Sequence, residues 1–116
     1  MTEVVIKIKR SKKLSDETWT VIKYKPKQGC EEEFIEALKR LHKLMKDNKN
    51  YDYLNNFIKI DATGEYVQIA KMPSIDALID GQVAGLEWLD SIDHLLERYS
   101  DDNRTEAFSG IKIPMD

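Results

Sequence analysis

Cysteine is almost missing from this chain. Cys30 is the only one in 116 residues, so no disulfide can form within it. That usage fits a reducing compartment, and the expected location is cytoplasmic. No apolar run approaches the ~20 residues a bilayer-spanning helix needs. No apolar stretch follows a basic start, as a secretory leader requires. Excess positive charge is missing too. Eighteen Lys and Arg against twenty-one Asp and Glu leave a formal charge of -3, which argues against nucleic acid as the main partner. There is no glycine loop of phosphate-cradling spacing, no internal repeat, no linker and no complete catalytic motif. What remains is one small domain with a modest core.

The few prolines and glycines punctuate the elements. Trp19 to Lys25 alternates, with Thr20, Ile22 and Tyr24 on one side and Trp19, Val21 and Lys23 on the other, as a half-buried strand does. Pro26 ends it and Gly29 turns the chain at low steric cost. Glu31, Glu32 and Glu33 follow, where the positive end of a helix dipole favours carboxylates. Phe34, Leu38, Leu41 and Met45, with Ile35 beside them, form one apolar helical stripe. Asp47 to Asn50 closes that helix. A strand from Tyr53 to Ile60, a loop at Ala62-Thr63-Gly64 and a strand from Tyr66 to Met72 predict a hairpin. Pro73 stops the second strand and Ser74 is the expected N-cap of a second helix. Gly81 and Gly85 are expected to interrupt or kink it. Trp88, Ile92, Leu95, Leu96 and Tyr99 continue at helical spacing, and Phe108 to Ile113 makes the last strand.

The N-terminal residues Val4 to Lys9 also alternate and predict an extra edge strand or arm within residues 1–18. Its lysines read as protection against edge pairing. Leaving that segment aside, the order is β-α-β-β-α-β. Right-handed crossovers turn this order into an α+β, ferredoxin-like domain: a four-stranded antiparallel sheet with both helices on one face. Alternation puts Ile22, Tyr24, Ile58, Ile60, Val67 and Ile69 under the helices. It puts Trp19, Val21, Phe57, Ala70, Met72 and Phe108 on the opposite face. So much apolar surface predicts an interface, and the expected partner is a second copy, sheet against sheet.

The exit of the first strand at Pro26, the run Gly29 to Phe34, the strand Tyr66 to Met72 with its Pro73-Ser74-Ile75-Asp76-Ala77 continuation, and the closing Ser109-Gly110 strand together make the chain resemble the dimeric α/β-barrel superfamily. Within it the likeness is to antibiotic-biosynthesis-monooxygenase-like domains, and it covers roughly Trp19 to Pro114. The resemblance implies a homodimeric α/β barrel and a pocket between sheet and helices. It also implies a cofactor-independent, monooxygenase-like enzyme for a small aromatic substrate, or else a non-catalytic ligand-binding or structural dimer. Tyr24, Tyr66, Trp88 and Met72 are the candidate substrate-binding residues and His94 the candidate general base, since histidine titrates near working pH. The haem-degrading branch has an asparagine on the first strand, a tryptophan ending the third and a histidine in the next helix. Here the first strand has no asparagine, Met72 holds the tryptophan position, and no histidine follows before His94. No cofactor is therefore expected. Asp90 and His94, at i and i+4, face one side of a helix but supply only part of a coordination shell, so no metal is expected either.

Overall fold

The structure, a computed structural model, describes residues 17–47 and 54–115. The proposed N-terminal strand, the Tyr53 start of the second strand and most of the Asp47 to Asn50 turn lie outside the described residues. The elements are β1 (Thr18–Tyr24), α1 (Glu31–Lys46), β2 (Leu54–Ile60), β3 (Glu65–Met72), α2 (Ile75–Ser91), a 3₁₀ turn at Asp93–Leu95, and β4 (Thr105–Ile111). All strand pairs are antiparallel and the sheet order is β2-β3-β1-β4. The domain is thus α+β, with a four-stranded antiparallel sheet and two helices. No helix among the described residues is long and apolar enough to cross a membrane.

Local chemistry accounts for the boundaries. Gly29 and Gly64 both take positive φ, at 85° and 74°, where an L side chain is strained. The first permits the turn into α1 and the second closes the β2–β3 hairpin. Ser74 is extended, and its hydroxyl accepts from the Ala77 N–H at 3.1 Å, capping α2. Three boundaries differ from expectation. α2 runs unbroken through Gly81 and Gly85, since a helix tolerates an isolated glycine at a cost near ~1 kcal/mol. It stops at Ser91, so Leu95, Leu96 and Tyr99 lie beyond it. Pro26 forms a bridge with Leu96, and the Lys27 N–H donates to the Leu95 carbonyl at 2.7 Å. β4 runs from Thr105 to Ile111 in place of Phe108 to Ile113, because its ladder with β1 extends from Tyr24 opposite Thr105 to Thr18 opposite Ile111.

Register corrects the assignment of faces. Tyr24 stands opposite Tyr66, Ile22 opposite Gln68 and Thr20 opposite Ala70, while Phe57 is opposite Gln68. Directly opposed residues share a face. The helix side therefore carries Tyr24, Ile22, Tyr66, Gln68, Ala70, Met72 and Phe57. The other side carries Trp19, Val21, Val67, Ile69, Leu54, Ile58, Ile60 and Phe108. β1 and β4 stand as expected, but β2 and β3 are one residue out of phase. A single-residue slip moves every side chain to the other face. Apolar residues occupy both faces of β3, so hydrophobicity alone did not set its phase.

The core lies at the Gly29 end. Phe34 has no exposed surface and packs against Tyr24 and Tyr66 at ring-centroid separations of 5.5 and 5.2 Å. Trp88 meets Tyr24 edge-on at 5.8 Å, and its indole N–H donates to the Ala37 carbonyl at 2.8 Å, tying α2 to α1. Replacement of Phe34 by Ala is expected to cost ~3–5 kcal/mol, the usual range for a buried phenylalanine. Urea unfolding followed by tryptophan fluorescence measures it, and a loss under ~1 kcal/mol would show that this ring is not the centre of the core.

Candidate functional site

Away from Phe34 the two layers separate. Ala77, Gly81 and Gly85, spaced i, i+4 and i+8, put little bulk on the side of α2 that faces the sheet. Thr20, Ala70, Ala107 and Ser109 do the same on the sheet. Between them lies a cavity of about 460 Å³, closed at one side by Leu41, Leu44 and Met45 of α1 and by Trp88 and Leu89 of α2. The cavity is thus a direct result of small residues meeting small residues. Its size falls within the ~300–1,000 Å³ of small-molecule sites.

The lining is mostly apolar, with a few polar groups that hold one another. The Thr20 and Ser109 hydroxyls are bonded at 2.8 Å. The Tyr24 hydroxyl donates to Gln68 Oε1 at 2.7 Å, and Gln68 Nε2 donates to Asn55 Oδ1 at 2.9 Å. Tyr24 is 3% exposed, and burial pushes its hydroxyl well above the ordinary tyrosine range, so it stays protonated. Glu106 is the charged residue of the lining among the described residues. By register it shares the opposite face with Lys23, and the two pair at 3.5 Å. Its carboxylate therefore turns away from the cavity.

Tyr24, Met72 and Trp88 line this cavity together. Tyr66 and His94 do not join them. Tyr66 packs on Phe34 and its hydroxyl donates to Glu31 Oε1. Burial first, and the Glu31 carboxylate second, push it up to about 12. Glu31 in turn is held below the usual carboxylate range by its bonds to Lys59 and to Tyr66. His94 is exposed in a separate recess beside Glu32, Glu33, Arg40 and Ser91. Asp90 pairs with Arg104 at 2.8 Å, and Asp93 pairs with Arg98 at 2.8 Å. Among the described residues no group of three or more His, Cys, Asp or Glu is placed to hold a metal ion.

Sequence reasoning missed Thr20, Gln68, Asn55 and Ser109. A signal for Gln68 existed. Once β3 is set in phase with β1, this amide falls among buried positions, and a buried polar side chain needs partners. The spacing of Ala77, Gly81 and Gly85 is the second signal: the two glycines predict an interruption or kink, and the structure has an open wall there instead. A methyl group added at either glycine meets nothing within 4 Å. Gly81→Ala and Gly85→Ala should therefore each raise stability by ~0.5–1 kcal/mol in urea titrations, the helix-propensity difference. Destabilisation by both would show that α2 bends there.

Comparison with protein-family models, with curated proteins and with solved structures finds no match for the chain.

Proposed function

We propose that the chain binds a small, neutral, largely apolar ligand, and that it does so as a homodimer. The observation that carries this reading is the 460 Å³ cavity between sheet and helices, lined by Tyr24, Met72 and Trp88 and free of inward charge among the described residues. Among the described residues an anion finds no cation there, and a cation finds no inward carboxylate. A flat aromatic or alicyclic molecule with one or two oxygen atoms suits the space. Its rings meet Leu41, Met45 and Trp88, and its oxygen meets the Thr20, Ser109, Tyr24 and Gln68 groups. The strand order β2-β3-β1-β4 supports a ferredoxin-like unit of the dimeric α/β-barrel kind, whose ligands lie between sheet and helices.

The other face of the sheet supports the dimer. Leu54, Ile58 and Phe108 are 37, 50 and 63% exposed on it, beside Trp19, Val21 and Ile69. Its ends differ in charge. Lys23, Glu65 and Glu106 cluster at one end, one lysine against two glutamates, and Lys71 and Lys112 stand at the other, two lysines against Glu17. A two-fold axis across the strands brings Lys71 of each copy over the acidic end of its partner. Such a face is self-complementary, as an isologous interface requires.

The catalytic version is a monooxygenase-like reaction of an aromatic substrate with dissolved oxygen. It needs a base for the substrate's acidic proton. His94 lies in another recess and Tyr24 is held protonated, so binding without chemistry has the better support. Oxygen uptake with 1-naphthol, abolished at least tenfold by His94→Ala, would reverse that preference.

Thermal unfolding in the presence of naphthalene-sized neutral compounds tests the cavity. At a concentration equal to Kd a ligand adds about 0.4 kcal/mol, worth roughly 2–3 °C in a domain of this size. Ala70→Leu, which fills the floor, should remove the shift while the protein stays folded. A shift that survives Ala70→Leu places the ligand elsewhere. Sedimentation tests the interface separately: the native chain is expected at about twice 13.5 kDa, and Phe108→Lys at the monomer mass. A native monomer at micromolar loading ends the dimer reading.

A further inference from the structure

Tyr24, Gln68 and Asn55 lie on three neighbouring strands and form a diagonal line across the helix side of the sheet. The line does not stop at Asn55. Asn55 Nδ2 lies 3.3 Å from Nδ1 of His42, which is exposed on α1 and meets Phe57 edge-on at 6.4 Å. A continuous row of four polar groups thus joins the cavity wall to the surface. Its three inner members are each less than 8% exposed: Tyr24 at 3%, Gln68 at 3% and Asn55 at 7%.

We infer that this row is a directional relay: the charge on His42 decides whether Tyr24 offers the cavity a hydrogen-bond acceptor or a donor. The inference rests on the reading of the cavity as a small-molecule site. Each amide has a donor end and an acceptor end, so the row has a sense. In the present sense every proton points outward from the cavity. Tyr24 donates to Gln68 and Gln68 to Asn55, and the Asn55 NH₂ completes the row by donating to His42 Nδ1 in the tautomer that leaves that nitrogen bare. The tyrosine oxygen keeps its lone pairs for a ligand.

Protonation of His42 by solvent puts a hydrogen on Nδ1 that confronts the Asn55 NH₂. Two donors then face each other. A half-turn of the Asn55 amide restores that bond and sets its NH₂ against Gln68. A half-turn of Gln68 restores the next bond and sets an NH₂ against Tyr24, whose oxygen now accepts. The tyrosine proton is released toward the cavity. The number of bonds along the row is unchanged and no covalent bond is made or broken; the contact given up is the weak one from Gln68 Nε2 to Met45 Sδ at 3.6 Å. Buried amides leave little room for a half-reversed row, because each mismatch leaves an unsatisfied polar group.

The charged residues within four positions of His42 on α1 are Lys39, Arg40, Lys43 and Lys46, and β2 presents Asn55 and Phe57 to its ring. Lys39 is engaged with Glu36 at 3.1 Å. Histidine is the side chain that ordinarily changes charge between pH 5 and 8. The preference of the cavity follows His42 Nδ1: toward ligand hydroxyl donors when that nitrogen is bare, toward ligand carbonyl acceptors when it carries a hydrogen. By linkage, a bound carbonyl favours the charged form of His42 by the same factor.

The test uses two probes of one shape, 1-tetralone with a carbonyl and tetralin without. In the native chain the affinity ratio of tetralone to tetralin should rise about 2- to 10-fold from pH 8 to pH 5, the worth of one hydrogen bond. The rise should vanish in His42→Gln, which is not titratable. A ratio flat with pH, or a rise that persists in His42→Gln, overturns the relay. Should neither probe bind, the cavity reading fails but the relay is still measured. In NMR titrations of the free protein, the side-chain amide signals of Gln68 should move with the imidazole signals of His42. They should cease to do so in His42→Gln. Gln68 signals indifferent to His42 sink the inference whatever the probes do.

Discussion

The packing of Phe34 between Tyr24 and Tyr66 is the contact on which the other arrangements depend. It comes from α1, and it lands on the two central strands of the sheet. Because β1 and β3 are paired through Tyr24 and Tyr66, one ring on one helix sets the height of α1 over both. Trp88 then reaches the same cluster from α2 and binds the Ala37 carbonyl, so the second helix inherits its position from the first. Aromatic rings meeting edge to face add directional preference to simple burial. A helix held by aliphatic contacts alone would slide more readily.

From that anchor the two ends of the domain diverge. At the Gly29 end, large side chains fill the space between the layers. At the Ser74 end, α2 is capped and held, yet its inner side presents Ala77, Gly81 and Gly85 to a floor of Thr20, Ala70, Ala107 and Ser109. Dense packing at one end keeps the cavity open at the other, since the helices have no freedom to collapse onto the sheet. The polar groups of the floor satisfy one another. That arrangement offsets the usual penalty for buried amides and hydroxyls.

Much of the architecture was legible in the chain. Gly29, the three glutamates and the Phe34 to Met45 stripe located α1, and Ser74 located the start of α2. The alternation of β1 was correct because Thr20, Ile22 and Tyr24 contrast with Lys23. β3 lacked such contrast: Tyr66, Val67, Ile69 and Ala70 place apolar groups on both faces, and the buried one could be fixed only by pairing with β1. From that one slip followed the loss of Gln68 as an inward group. Of the residues that line the cavity, Tyr24, Trp88 and Met72 stand among the sequence candidates, all of them large side chains at or near strand and helix ends. The small residues do not, because an empty volume leaves its trace in what is not there. Tyr66 and His94 were assigned by residue type. Their positions depend on where α1 carries Glu31 and where the 3₁₀ turn after α2 carries His94, which no local pattern encodes.

The wall formed by Ala77, Gly81 and Gly85 shares no side chain with the Phe34 cluster. Bulk can be added there one methyl or one branch at a time without disturbing what holds the layers together. The shape of the cavity and the stability of the fold are therefore written in different residues. A lineage, or a designer, can retune the shape of the cavity along a single helix while the scaffold stays as it is.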